Sequence, residues 1–120
     1  RPDLGLAGGI THVKKIAAIG ESWHSALVTH NFLGPVVTAA SCAVDASIPN
    51  FLTQEYTKVD EGPDYAMLQT AWKRDGGYLT VPDAVGLGIT VDNVALDAVP
   101  FEPRRPGVPI RVDGSVGYSV

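Results

Sequence analysis

The sequence is poor in cysteine and shows no zinc-type pattern. Its 120 residues include a single cysteine, Cys42, which cannot form an internal disulfide. No Cys/His pair has the spacing of a zinc site. Cys42 lies among alanines and a valine, so we interpret it as a small buried core residue. This cysteine usage is typical of a reducing compartment, and we expect the protein to be cytoplasmic.

Long apolar runs and clusters of positive charge are also missing. No run approaches the roughly 20 residues of a membrane-spanning helix, and no signal peptide is recognisable. The formal net charge is −4, with the basic residues scattered. We therefore expect neither a membrane nor a nucleic acid as partner. The chain opens at Arg1 without an initiating methionine, which we interpret as a cut within a domain.

What is present is enough apolar material for a folded core. The chain is 45% hydrophobic and 18% charged, which argues against disorder. Its first half predicts strands that alternate with helices, and such alternation indicates a parallel sheet. The predicted elements are a strand over 4–7 that ends at a glycine pair, a helix from 13 with Thr11 as N-cap, a strand over 26–29, a helix over 36–47 and a strand over 51–54.

Polar residues mark the ends of these three strands. Asp3 belongs to the first, His30 follows the second and Glu55 follows the third. They are 27 and 25 residues apart, close to one strand–helix repeat of an eight-stranded barrel. In such barrels active sites form where strands end, so we expect the three side chains to lie together. A carboxylate bonded to one imidazole nitrogen of His30 would leave the other nitrogen free to act as a general base.

The second half has a different pattern. It predicts a chain reversal at 74–77, a short helix capped by Asp92 and an extended, proline-rich tail. We expect residues 1–56 to be the last strand–helix units of a barrel. Residues 57–120 would then be a C-terminal segment that packs on the barrel and on a capping domain absent from this chain. Asp60, Glu61 and Asp64 form an acidic group, which we interpret as part of a loop and not as a metal site.

Several motifs resemble one known family. The runs 1–11, 29–35 and 48–55 are similar to the ends of the sixth, seventh and eighth strands in the mandelate racemase subgroup of the enolase superfamily. The similarity is greatest to galactonate-dehydratase-like members, and 86–92 and 113–116 resemble the same family's C-terminal segment. The resemblance implies the last three strands of a (β/α)7β TIM-like barrel, an α/β fold.

The resemblance also implies roles for the three polar residues. His30 would be the base that removes the proton α to a substrate carboxylate, and Asp3 its partner. Glu55 would hydrogen-bond a substrate carboxylate or enolate oxygen. The activity implied is that of a lyase, a Mg²⁺-dependent hydro-lyase that converts an aldonate or aldarate into a 2-keto-3-deoxy acid. The small-molecule partner is thus a sugar acid, and we also expect a homo-oligomer.

Some departures and alternatives stay open. Many relatives have proline before the histidine, where this chain has Thr29. The family's three acidic metal ligands belong to earlier strands, so we assign neither a metal ligand nor a cofactor-binding residue to this chain. We expect the missing N-terminal part of the same protein to supply the Mg²⁺ ligands. Two alternatives remain. One is a racemase or epimerase of a 2-hydroxy acid that uses the same proton abstraction, and the other is a noncatalytic barrel remnant.

Overall fold

A computed structural model of the chain describes residues 1–57, 62, 65–100, 103 and 109–117. The first half contains helix α1 (Gly9–Ser22), strand β1 (Leu27–Thr29), helix α2 (Pro35–Asp45) and strand β2 (Phe51–Gln54). The second half contains strands β3 (Leu68–Thr70), β4 (Lys73–Asp75), β5 (Tyr78–Thr80) and β6 (Ile89–Val91), and helix α3 (Asn93–Asp97). The acidic group at 60, 61 and 64 lies outside the described residues.

The first half is built around parallel strand pairing. β1 pairs with β2 in parallel, with α2 as the crossover between them. On the other side of β1, Asp3 forms an isolated parallel bridge with His30, whose backbone N–H donates to the carbonyl of Pro2 at 2.9 Å. Three chain segments therefore run side by side in one direction, with their carboxyl ends at one edge. This arrangement confirms the expected α/β, barrel-type architecture.

The predicted strand over 4–7 is wrong. After Asp3 the backbone enters turns instead, closed by hydrogen bonds from Ala7 N to Asp3 O and from Gly9 N to Leu4 O, both 2.8 Å. The Asp3 carboxylate causes the turn, because its Oδ1 accepts the N–H groups of Gly5 and Leu6 at 2.7 and 3.2 Å. In a strand, successive backbone N–H groups point in opposite directions, so a single carboxylate oxygen could not accept a hydrogen bond from both.

The start of α1 also differs from the expectation. Thr11 is not the N-cap; it lies inside α1, which begins at Gly9 with Gly8 as N-cap. Gly8 has φ 93°, a left-handed conformation that glycine adopts without steric cost. Here a backbone bend, and not a side-chain cap, starts the helix.

The core of the first half lies between the helices and β1. Leu27 is buried together with Val13 and Ala17 of α1 and Val44 of α2. Because side chains alternate along a strand, Leu27 and Thr29 point toward the helices, and His30 points to the opposite side. Cys42 is buried, as expected. The helices thus cover one face of the sheet and leave His30 on the other.

The second half consists of two antiparallel pairs. β3 pairs with β6, and β4 pairs with β5 across the predicted reversal. Asp92 caps α3 as predicted: its Oδ1 accepts the N–H groups of Val94 and Ala95 at 3.0 and 3.1 Å. The division at residue 56 stays a prediction. Among the described residues, no helix is long and apolar enough to cross a bilayer.

Candidate active site

The ends of the three parallel segments gather three polar side chains. Asp3 lies beside His30 through their backbone bridge, His30 directly follows β1, and Glu55 directly follows β2. Pairing between the segments places all three at the same edge of the sheet. The structure therefore brings together the residues that the sequence singled out, and their catalytic roles stay predictions.

One hydrogen bond in the site joins Asp3 to His30. Asp3 Oδ2 lies 2.8 Å from His30 Nδ1, and the Asp3 side chain is only 6% exposed. Burial raises the pKa of Asp3, but hydrogen bonds from His30 and from two backbone N–H groups outweigh it and hold that pKa below its ordinary value. An ionised carboxylate only accepts hydrogen bonds, so Nδ1 of His30 carries the proton of this contact.

The other imidazole nitrogen faces the open side of the site. The His30 side chain is 36% exposed, and its Nε2 lies 3.8 Å from Glu55 Oε2, which is beyond hydrogen-bond distance. In the neutral tautomer that carries its proton on Nδ1, Nε2 has the free lone pair. The geometry thus orients the imidazole and leaves its second nitrogen accessible, which is what a general base requires.

Glu55 is held from two directions. The backbone N–H of Asn31 donates to its Oε2 at 3.0 Å, and Arg1 Nη2 donates to its Oε1 at 2.6 Å. The hydrogen bond from Asn31, followed by that from Arg1, lowers the pKa of Glu55 below its ordinary value. Glu55 is therefore an ionised carboxylate in which each oxygen accepts an N–H group.

Sequence reasoning missed Arg1 and Asn31. Arg1 stands two residues before Asp3, so alternation along an extended segment places both side chains on one side. That spacing was a signal that could have identified Arg1. Asn31 contributes through its backbone, for which no sequence signal exists.

A buried polar contact anchors the segment after His30. Asn31 is fully buried, and its Nδ2 donates to Thr38 Oγ1 of α2 at 2.6 Å. Asn31 Oδ1 has no hydrogen-bond partner among the described residues. The contact with Thr38 fixes the backbone at the residue whose N–H reaches Glu55.

A second buried contact lies behind His30. Thr29 Oγ1, on the helix side of β1, donates to Asp45 Oδ2 of α2 at 2.9 Å. Burial raises the pKa of Asp45 to about 6, and the hydrogen bond from Thr29 opposes that shift. Thr29 therefore ties β1 to α2 immediately before His30.

The two site carboxylates are held by N–H donors. Asp3 and Glu55 accept N–H groups on both of their oxygens. Across the part of the chain that the structure describes, no group of three His, Cys, Asp or Glu residues could hold a metal. The contact between Asp3 and His30 is the one suited to moving a proton.

Comparisons with known proteins agree with this architecture. A family model described as enolase C-terminal domain-like matches residues 1–95. A D-galactonate dehydratase family member from Streptomyces bingchenggensis is 38% identical over 92% of this chain and 27% of its own length. A D-galactonate dehydratase from Ralstonia pickettii is 40% identical, and the match covers 77% of this chain and 26% of that protein. A D-xylonate dehydratase from Haloferax volcanii is 33% identical, and the match covers 81% of this chain and 24% of that protein.

Solved structures show the same relation. A mandelate racemase/muconate lactonizing enzyme from a Jannaschia species superposes with a TM-score of 0.74 at 34% identity. The match covers 84% of this chain and 26% of that structure. The chain thus spans about a quarter of the length of the curated relatives it matches.

Proposed function

Because the chain belongs to the enolase C-terminal domain-like family, we propose that it carries the proton-abstracting side of a sugar-acid dehydratase. The substrate is an aldonate or aldarate, and the product is a 2-keto-3-deoxy acid. Relatives named D-galactonate dehydratase and D-xylonate dehydratase support an aldonate as the substrate. The full-length protein would then be a lyase of the hydro-lyase type.

One observation carries this proposal: the buried, ionised Asp3 holds His30 through Nδ1 and leaves Nε2 accessible. In the proposed reaction Nε2 takes the proton α to the substrate carboxylate, and the C–H electron pair moves into an enediolate. Asp3 stabilises the imidazolium that forms, as a carboxylate partner does in hydrolytic triads. General-base catalysis of this kind accounts for roughly 10²- to 10⁴-fold in rate.

The second step returns the proton. The enediolate electrons expel the β-hydroxyl, the carbon–oxygen bond breaks, and the imidazolium donates its proton to the departing oxygen, which leaves as water. The resulting enol converts to the 2-keto-3-deoxy acid. His30 returns to its starting protonation state, so one imidazole serves both proton transfers.

The family resemblance also implies Mg²⁺, which would stabilise the enediolate. Since no group of three His, Cys, Asp or Glu residues in the described part of the chain could hold a metal, we propose that residues outside this chain hold it. Cytoplasmic localisation and homo-oligomeric assembly likewise remain predictions made from the sequence.

The test compares two histidines in the full-length protein. Incubation with a panel of aldonates and aldarates in D₂O, followed by NMR, reports exchange of the α-proton and formation of the keto-deoxy acid. We expect His30→Asn to abolish both. His24→Asn is the matched control, because His24 is exposed and has φ 56°, a conformation that asparagine tolerates.

The outcomes separate the alternatives. Full activity in His30→Asn would end the assignment of the base. Exchange with inversion at the α-carbon and no keto-deoxy product would favour the racemase. Absence of exchange with every sugar acid in the wild-type protein would favour a noncatalytic barrel.

A further inference from the structure

A row of buried polar side chains joins helix α2 to the segment that carries His30. Thr29 and Asn31, the residues on either side of His30, are both fully buried. Thr29 Oγ1 donates to Asp45 Oδ2 of α2 at 2.9 Å. Asn31 Nδ2 donates to Thr38 Oγ1 of α2 at 2.6 Å. The proton transfer proposed above uses none of these four side chains, although they surround the residue that performs it.

Packing alone does not account for this polar row. The core beside it is apolar and includes Leu27 of β1 and Val44 of α2. Among the described residues, three buried atoms of the row have no hydrogen-bond partner: Asn31 Oδ1, Ser41 Oγ and Asp45 Oδ1. A buried polar atom without a partner costs stability that an apolar side chain would not cost. Such a cost is expected where residues serve function more than stability.

The two hydrogen bonds hold His30 from both sides along the chain. Thr38 and Asp45 are seven residues apart on α2, a separation of about 10 Å along a helix axis. Thr29 and Asn31 are two residues apart, about 7 Å along an extended chain. The pairing of β1 with β2 ends at Thr29, so Asn31 lies beyond the ladder. The helix therefore fixes the chain just before His30 and again just after it.

We propose that Thr38 and Asp45 of α2 are positioning residues for His30, which hold the residues before and after it and so set the direction of its imidazole. This inference rests on the proposed function, because the positioned group is the proposed base. A chain held only on one side of His30 could turn about that point, whereas a chain held on both sides could not. A misplacement of about 1 Å can cost roughly 10²-fold in rate.

The test removes one hydrogen bond at a time in the full-length protein. Thr29→Val and Thr38→Val each replace a buried hydroxyl with a methyl group, so the shape of the side chain is kept. For the sugar acid that the wild-type protein dehydrates, we expect each variant to lower kcat about 10- to 100-fold. KM should stay nearly unchanged, because both side chains point toward α2 and away from the substrate side. Thr29→Ser and Thr38→Ser keep the hydroxyl and should recover most of the lost kcat.

Val44→Ala is the matched control for loss of stability. Val44 lies on the same helix, is fully buried and takes part in neither hydrogen bond. Its truncation leaves a cavity, so this variant reports what weaker packing alone does to the rate. All rates are compared at a temperature at which circular dichroism shows every variant to be folded. We expect Val44→Ala to keep the wild-type kcat, and an equal fall in this control and in the valine variants would overturn the proposal.

A second measurement needs no substrate. The carbon-bound protons of the His30 imidazole give NMR signals that are identified by their loss in His30→Asn. We expect these signals to shift in Thr29→Val and Thr38→Val, because the ring moves relative to Asp3, and to stay in place in Val44→Ala. Unmoved signals in both valine variants would overturn the proposal, and so would an unchanged kcat.

The two measurements separate this inference from the proposed function. If His30→Asn abolishes α-proton exchange while both valine variants keep the wild-type kcat, the positioning role fails and the proposed function stands. If the wild-type protein exchanges the α-proton of no sugar acid, the proposed function fails. The NMR signals of His30 then still decide whether α2 positions the imidazole.

Discussion

Asp45 gives the sharpest quantitative prediction, because it is a carboxyl group buried behind the site. Its Oδ2 accepts from Thr29, and its Oδ1 has no hydrogen-bond partner in the described part of the chain. Replacing it with asparagine keeps an acceptor for Thr29 and removes the titration. Asp45→Asn in the full-length protein is therefore the perturbation of choice.

The expected magnitude follows from the shift in pKa. Burial raises the pKa of Asp45 from 3.8 to about 6 in the folded state. Between these two values the folded protein holds a proton that the unfolded chain releases. The contribution to stability is therefore fully present below pH 3.8 and is lost as the pH rises through 6. At 1.36 kcal/mol per pKa unit, the full change is about 3 kcal/mol.

The assay is urea unfolding of both proteins over a pH series, with the difference in their free energies of unfolding plotted against pH. We expect this difference to shift in favour of Asp45→Asn by about 3 kcal/mol on going from acid to neutral pH, with roughly half of the change above pH 5. Asp97→Asn, which removes an exposed carboxyl at the end of α3, serves as the control for loss of a negative charge.

A difference that is independent of pH would refute the reasoning. It would mean that Asp45 has the same affinity for protons in the folded and unfolded chains. Titration of the Asp45 carboxyl by ¹³C NMR provides an independent check, with an expected midpoint of about 6.

Three further substitutions test other contacts. Asp3→Asn should lower the rate of α-proton exchange by roughly 10⁴-fold, measured by single-turnover NMR, because the asparagine amide N–H can stabilise the wrong tautomer of His30. A variant that keeps a tenth of the wild-type exchange rate would contradict this prediction. Thr38→Val should reduce the free energy of unfolding by about 1–3 kcal/mol in urea titrations, because it removes the acceptor of the buried Asn31 side-chain N–H. An unchanged urea midpoint would argue against the hydrogen bond between Asn31 and Thr38. Gly8→Ala should lower the thermal midpoint by several degrees, since φ 93° is strained for alanine; no shift would show that the turn can relax.

Short-range sequence patterns predicted helices, strands and turns correctly where the determining residues are close together in the chain. β2 and the helix before it were predicted within a few residues, because proline and glycine residues mark their ends. The cap at Asp92 and the reversal at 74–77 were predicted as well. Both depend on hydrogen bonds between residues only a few positions apart.

The error at residues 4–7 has a physical cause of another kind. The four residues are apolar enough for a strand, but the Asp3 carboxylate draws the next N–H groups toward itself. That carboxylate is held in place by His30, 27 residues away in the sequence. A window of local residues contains no information about this contact.

The sequence by itself determined the alternation of strands and helices, the family resemblance and the spacing that singled out Asp3, His30 and Glu55. Only the tertiary structure decided which donors hold the carboxyl groups and in which direction their pKa values move. It places Arg1 and the Asn31 N–H on Glu55, and it buries Asp45 against Thr29. The reason is that charge and proton affinity depend on burial and on donors a few ångströms away, and these neighbours come from segments far apart in the chain.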